Sequence, residues 1–150
     1  MLAIQRIVAA IDFSDVSDAA LDYAVEFASK LGAKVTVMHA YEIPVMGFPD
    51  GVVVATPDMA RRVSEAAKNG LDVAIEARKG RGVELTPVLR EGVTWEEVNK
   101  VADQVDADLI VIGTHGRRGL ARALLGSVAE NVIRTSTRPV LTVHGHPPAR

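Results

Sequence analysis

Two uninterrupted apolar runs constrain the fold of this chain more than any other feature. Residues 6–11 read Arg-Ile-Val-Ala-Ala-Ile, and residues 109–112 read Leu-Ile-Val-Ile. A strand with one face in water alternates apolar and polar side chains, whereas a strand covered on both faces does not. Neither run approaches the roughly 20 apolar residues of a membrane-spanning helix. The runs therefore predict central strands of a sheet with helices on both faces.

Strand-like and helix-like segments alternate along the rest of the chain. Further strands are predicted at residues 34–40, 83–89 and 140–143. Apolar residues at the helical period predict four helices, at residues 15–31, 58–79, 94–105 and 127–135. The stretch 41–57, with three prolines and two glycines, predicts a long irregular connection. The alternation indicates one α/β domain over residues 1–150, a doubly wound five-stranded parallel sheet in the order 3-2-1-4-5 with four helices.

Single residues predict where several of these elements end. Gly32 is typical of a helix C-terminus. Pro87 cannot donate a ladder hydrogen bond, which favours an edge position for the third predicted strand. Two capping boxes, in which Thr or Ser is followed three residues later by Glu, predict helix N-caps at Thr94 and Ser127.

Composition narrows the classes of function. The chain has no cysteine, which excludes thiol catalysis and thiolate metal sites. Its net charge of −2 provides no general attraction for nucleic acids or anionic membranes. The N-terminus lacks the pattern of a secretion signal, so we expect a cytoplasmic protein. The four histidines show no H-E-x-x-H spacing and no serine lies in G-x-S-x-G, so we predict no catalytic or metal-ligating residue.

The strongest functional signal directly follows the apolar run at 109–112. Gly113, Gly116 and the pair Gly126-Ser127 form the spacing G-x2-G-x9-G-S ahead of a predicted helix. Glycine loops that lead into a helix N-terminus bind phosphate through backbone N–H groups. The lysine of a Walker P-loop is missing, and no G-x-G-x-x-G follows the first strand. The spacing thus predicts a nucleotide site of another kind, in which side chains at Gly113 or Gly116 would block phosphate while leaving the fold largely intact.

The predicted topology brings further residues to this loop. In an open α/β sheet, ligands bind beyond the carboxyl ends of the strands where the strand order reverses, here between predicted strands 1 and 4. Strand 1 leads to Asp12, whose carboxylate can accept hydrogen bonds from ribose, and strand 2 ends at Ala40, whose backbone can meet adenine. Arg117 adds positive charge. Asp12 can equally be a turn or capping residue, and Gly113 a tight-turn glycine.

Five segments of the chain resemble the universal stress protein family, in particular its ATP-binding branch. They are Ala-Ala-Ile-Asp-Phe-Ser at 9–14, Met-His-Ala at 38–40, residues 107–116, Gly126-Ser127, and residues 138–143. The resemblance implies a Rossmann-like fold of the adenine nucleotide alpha hydrolase-like type that binds ATP. The sequence leaves open whether Mg²⁺ or Mn²⁺ accompanies the phosphates. It implies that Asp12 holds the ribose or adenine side and that the Ala40 backbone meets adenine. It further implies that the phosphate and ribose path is lined by Gly113, Gly116, Gly126, Ser127 and Val128.

The resemblance also implies a homodimer in which the last strands of two subunits pair. The segment Val140–Val143 would otherwise be an apolar sheet edge, which soluble proteins rarely leave bare. We expect an ATP-binding stress-response protein whose nucleotide regulates association with other proteins. One alternative is a slow ATPase or phosphotransferase, in which Arg117 or Arg118 offsets charge on the γ-phosphate. Another is a structural dimer whose glycine loop binds no nucleotide.

Overall fold

A five-stranded parallel sheet forms the centre of the structure, a computed structural model that describes residues 3–115 and 125–145. The strands of the described chain are β1 (Arg6–Ala10), β2 (Lys34–Tyr41), β3 (Val45–Phe48), β4 (Gly51–Val54), β5 (Leu85–Glu91), β6 (Leu109–Gly113) and β7 (Val140–Val143). The helices are α1 (Asp15–Leu31), α2 (Pro57–Glu76), α3 (Thr94–Gln104) and α4 (Ser127–Thr135). The sheet order is β5-β2-β1-β6-β7. This order confirms the predicted 3-2-1-4-5 arrangement.

The two apolar runs form β1 and β6 at the centre of the sheet, and their side chains divide between two buried clusters. Ile7 belongs to the cluster that includes Leu21 of α1 and Leu71 of α2. Val8, the next residue of β1, belongs to the cluster that includes Val98 of α3 and Val132 of α4. Successive side chains of a strand point to opposite faces of a sheet. Helices therefore cover both faces of β1, as its continuous apolar sequence predicts.

The connection predicted as irregular over residues 41–57 contains a β-hairpin, so that prediction is wrong. Strands β3 and β4 pair antiparallel in a separate two-stranded sheet. The prolines that suggested irregular structure lie outside the paired residues: Pro44 precedes β3, Pro49 lies in the turn and Pro57 begins α2. They delimit the hairpin instead of preventing it. Its exposed apolar side chains include Val45, Met46, Phe48, Val52 and Val53.

Both predicted N-caps are displaced by one residue. Val93 caps α3 and Gly126 caps α4, neither with a side-chain hydrogen bond. The glutamates of the two capping boxes pair forward along their helices, Glu97 with Lys100 at 2.6 Å and Glu130 with the arginine four residues on. Other predictions are confirmed: Gly32 ends α1 with φ +68°, and β5, which contains Pro87, is an edge strand. That strand begins and ends two residues later than predicted, and α2 ends three residues earlier.

Asp108 ties together the amino ends of β1 and β6, at the end of the sheet opposite the predicted nucleotide site. Its Oδ2 accepts hydrogen bonds from the backbone N–H groups of Gln5 and Arg6, both at 2.9 Å. The hydrogen bond from Gln5 is the main reason that the pKa of Asp108 lies below its ordinary value; partial burial acts in the opposite direction. The ionised carboxylate is therefore the form that the fold favours.

We expect Asp108→Asn to lower the free energy of unfolding by about 1 kcal/mol at pH 7. Because the folded pKa is depressed, the carboxylate stabilises the fold above the unfolded pKa of about 3.9, and this stabilisation disappears as the pH falls through the folded pKa. Urea titrations at pH 7 and below pH 3 measure both values. The difference in the free energy of unfolding between the wild type and the variant should disappear below pH 3. A gap of equal size at both pH values would contradict a role for the charge.

Candidate functional site

The carboxyl ends of β1, β2 and β6 meet at one end of the sheet. Ala10 is the last residue of β1. Its partner in β2 lies two residues before Ala40, and its partner in β6 lies two residues before Thr114, which directly follows that strand. Asp12 therefore lies level with both Ala40 and Thr114. Since neighbouring strands are about 4.8 Å apart, two strand spacings separate the backbones of Ala40 and Thr114 by about 10 Å. This is the end of the sheet at which the strand order predicts a ligand crevice.

Asp12 forms a tight turn where β1 leads into α1. Its Oδ1 accepts hydrogen bonds from the Ser14 backbone N–H at 3.0 Å and from the Ser14 hydroxyl at 2.5 Å. Ser14 in turn caps α1 by accepting from the Ser17 N–H, and the Ser17 hydroxyl accepts from the Asp12 N–H at 3.1 Å. The turn role that the sequence left open for Asp12 is therefore real. The same bonds hold its carboxyl group at the end of β1.

The Ala40 backbone points toward the space beyond β1. Backbone groups alternate in direction along a strand, and those of Met38 face β1, because the Met38 carbonyl accepts from the Ile11 N–H at 2.9 Å. Those of Tyr41 face β5, since its carbonyl accepts from the Gly92 N–H. Ala40 therefore turns its N–H and C=O to the β1 side, at the level where the chain has left the sheet at Asp12. A donor and an acceptor side by side can meet the edge of adenine.

The base of the glycine loop is closed by Thr114 and Gly126. The Gly126 N–H donates to the Thr114 carbonyl, and the Thr114 N–H donates to the Val143 carbonyl of β7 at 3.0 Å. A Cβ on Gly126 would lie only 2.5 Å from the Thr114 carbonyl oxygen. This contact requires glycine, because the opposing atom belongs to the backbone. Thr114, which is 1% exposed, thus closes the base of this loop, a role that the sequence did not indicate because Thr114 occupies an unspecified position of the motif.

The N-terminus of α4 offers backbone donors next to this closure. Its first intrahelical bond runs from the Glu130 N–H to the Gly126 carbonyl at 2.9 Å, and no side chain caps the helix. The N–H groups of Ser127, Val128 and Ala129 therefore precede the first helical hydrogen bond. Such groups and the positive end of the helix dipole favour an anion.

Gly113 has a packing role that the sequence did not indicate. A Cβ at this position would lie 2.9 Å from Val16 Cγ1 and 3.3 Å from the Ser17 backbone nitrogen, both in the first turn of α1. A side chain at Gly113 would therefore point at the first turn of α1. A side chain here would require α1 to shift, which argues against the expectation that it leaves the fold largely intact. Gly116 and Arg117 lie outside the described residues.

The structure also bears on metal sites and membrane spans. In the described ranges, 3–115 and 125–145, no group of three or more His, Asp or Glu side chains is arranged to hold a metal ion. Over that same part of the chain, no helix combines the length and the apolar character needed to cross a bilayer.

Comparison with known proteins gives similarity over nearly the whole chain. A sequence model described as the universal stress protein family matches residues 3–144. A universal stress protein of Methanocaldococcus jannaschii is 35% identical over 141 residues, which cover 93% of this chain and 81% of that protein.

Two similar solved structures contain adenine nucleotides. A universal stress protein in complex with cAMP superposes with a TM-score of 0.70 at 31% identity, covering 95% of this chain and 98% of that one. A universal stress protein from Archaeoglobus fulgidus in complex with dAMP gives a TM-score of 0.67 at 27% identity, covering 96% and 100%. The fold of this chain is thus similar to that of proteins whose structures were solved in complex with an adenine nucleotide.

Proposed function

Since this chain belongs to the universal stress protein family, we propose that it binds ATP in the crevice beyond the carboxyl ends of β1, β2 and β6. The principal support is the placement of three groups around that crevice: the Asp12 carboxyl group, the Ala40 backbone and the N-terminus of α4. The cAMP and dAMP complexes of similar proteins agree with an adenine nucleotide.

The nucleoside half of the ligand is assigned to β1 and β2. The Ala40 N–H donates to adenine N1, and its C=O accepts from the exocyclic amine. Asp12 accepts hydrogen bonds from the ribose hydroxyls, a bond type that its charge strengthens. Both groups stand on strand ends that the hydrogen bonds of the turn and the sheet hold in place. The site is therefore organised before the ligand arrives, which lowers the entropic cost of binding.

The phosphates are assigned to the glycine loop and α4. The closure between Thr114 and Gly126 brings the N–H groups of Ser127 and Val128 to the carboxyl end of β6. Gly116 and Arg117 are proposed to extend this phosphate site along the loop. A divalent cation, Mg²⁺ or Mn²⁺, would be held mainly by the phosphate oxygens, which are the hard ligands such ions prefer.

We assign the protein a regulatory role as a cytoplasmic homodimer. Strand β7, with the sequence Val-Leu-Thr-Val, lies at one edge of the five-stranded sheet. An apolar edge strand is a template for pairing with a second chain, and a homodimer that joins two such edges covers both. Nucleotide occupancy would stabilise the closure between Thr114 and Gly126, whose Thr114 N–H donates to the Val143 carbonyl of this edge strand, and so modulate association.

Calorimetric titration with ATP, GTP and inorganic triphosphate tests the assignment. ATP should bind most tightly. GTP should bind more weakly, because guanine presents an acceptor where adenine presents its amine and a donor where adenine has N1. Equal affinities for ATP and GTP would remove Ala40 from base recognition, and the absence of ATP binding would refute the proposal. Phosphate release from the same complex separates a binding protein from the ATPase alternative.

A further inference from the structure

Phe13 occupies an unusual position between Asp12 and the N-cap of α1. Its φ angle is +67°, in the left-handed region that residues with a side chain rarely adopt. Its ring is partly buried against the cluster that includes residues of α1 and α2. Backbone strain of this kind persists only when the surroundings hold the residue in place. The contacts of the ring therefore bear on the geometry of Asp12.

His39 of β2 holds the ring on one side. The ring centroids of Phe13 and His39 are 4.3 Å apart, with an interplanar angle of 36°. The His39 Nδ1 lies 2.7 Å from the Ile11 carbonyl oxygen. Because a carbonyl can only accept, Nδ1 carries the proton of this hydrogen bond. His39 is thereby anchored to the end of β1, just ahead of Asp12.

Gly70 of α2 meets the far end of the ring. A Cβ at Gly70 would lie 2.7 Å from Phe13 Cζ and 2.9 Å from each Cε. Real Cβ contacts are not that short, so the ring fits against α2 only because Gly70 has no side chain. Glycine is unfavourable in the interior of a helix compared with alanine, and here it permits a contact that alanine would obstruct.

We propose that Phe13 is a positioning residue for the nucleotide site. Wedged between His39 and Gly70, it fixes the turn that carries the Asp12 carboxyl group, so the packing of α2 contributes to nucleotide affinity. This inference rests on the function proposed above. By linkage, a bound nucleotide must in turn stabilise the contact between α2 and the turn.

Gly70→Ala tests the proposal. The added methyl group pushes the ring away from α2 and misaligns Asp12, which should weaken ATP binding by about three- to tenfold, the effect of one impaired hydrogen bond. Affinity for inorganic triphosphate should not change, because that ligand lacks the ribose. General damage to the fold would lower both affinities. Asn69→Ala is the matched control, since it adds helix propensity at the exposed neighbouring position of α2.

A double variant tests whether Gly70→Ala weakens ATP binding by displacing the Phe13 ring. Phe13→Leu shortens the side chain and makes room for a methyl group at residue 70. We expect Gly70→Ala to weaken ATP binding in the wild-type background and to have no further effect in the Phe13→Leu background. Phe13→Leu alone, with ATP weakened and triphosphate unchanged, serves as the test if Gly70→Ala does not fold.

The outcomes separate this inference from the proposed function. A wild-type protein that binds ATP, together with a Gly70→Ala variant that binds as tightly as Asn69→Ala, would overturn the positioning role alone. Parallel losses for ATP and triphosphate would overturn it as well. A wild-type protein that binds no nucleotide would refute both.

Discussion

Gly126→Val is expected to abolish binding of both ATP and inorganic triphosphate. A Cβ at this position falls 2.5 Å from the Thr114 carbonyl oxygen, and neither backbone can move without breaking the hydrogen bond that closes the loop. The donors at the start of α4 would then lose their position relative to β6. The same strain should lower the free energy of unfolding by about 2 to 4 kcal/mol. Calorimetric titration and urea unfolding measure the two effects.

Gly47→Val is the matched control for this variant. Gly47 lies in the β3–β4 hairpin, and a Cβ there meets no atom within 4 Å. The same substitution should therefore leave nucleotide binding and the unfolding midpoint close to those of the wild type. Normal phosphate binding by Gly126→Val would contradict the assignment of the phosphates to this closure.

Asp12→Ala is expected to weaken ATP binding selectively. Loss of the carboxylate removes its bonds to the ribose hydroxyls, which should cost about 1 to 3 kcal/mol of binding free energy if those bonds are charge-assisted. Inorganic triphosphate should bind as it does to the wild type, because its contacts lie at the other end of the crevice. Titration of both ligands against both proteins measures the difference.

Asp12→Asn separates recognition from the turn. Its side-chain oxygen can still accept from Ser14, as Oδ1 of Asp12 does at 3.0 Å, while the charge is lost. We expect an intermediate loss of ATP affinity with the stability of the fold retained. An equal loss for triphosphate in either variant would show that Asp12 acts on the site as a whole and not on the nucleoside.

The sheet was predictable because its signals are local in sequence. The apolar runs of β1 and β6 indicate by themselves that helices cover both faces of these strands. Pro87 indicates an edge strand without any information on the neighbouring strands. The hairpin was not predictable in this way. Strands β3 and β4 are defined by pairing with each other, their apolar side chains from Val45 to Val53 are exposed, and neither shows the alternation of a half-buried strand.

The candidate site likewise has features that could be predicted from the sequence and features that could not. The convergence of Asp12, Ala40 and the end of β6 follows from strand order and could be predicted from the sequence. What fixes their geometry could not: Gly113 faces α1, Gly126 meets the Thr114 carbonyl, and Phe13 adopts a positive φ angle. Each of these depends on atoms brought close only by tertiary packing. The glycines of the motif thus indicated that the backbone closely approaches other atoms, but not which atoms these are.

A crystal structure of the protein grown with ATP would show whether the nucleotide occupies the proposed crevice. We expect adenine to lie against the Ala40 backbone, ribose at Asp12 and the phosphates at the N–H groups of Ser127 and Val128. ATP bound elsewhere on the molecule, or a crevice filled by the protein's own side chains in the presence of saturating ATP, would contradict this expectation.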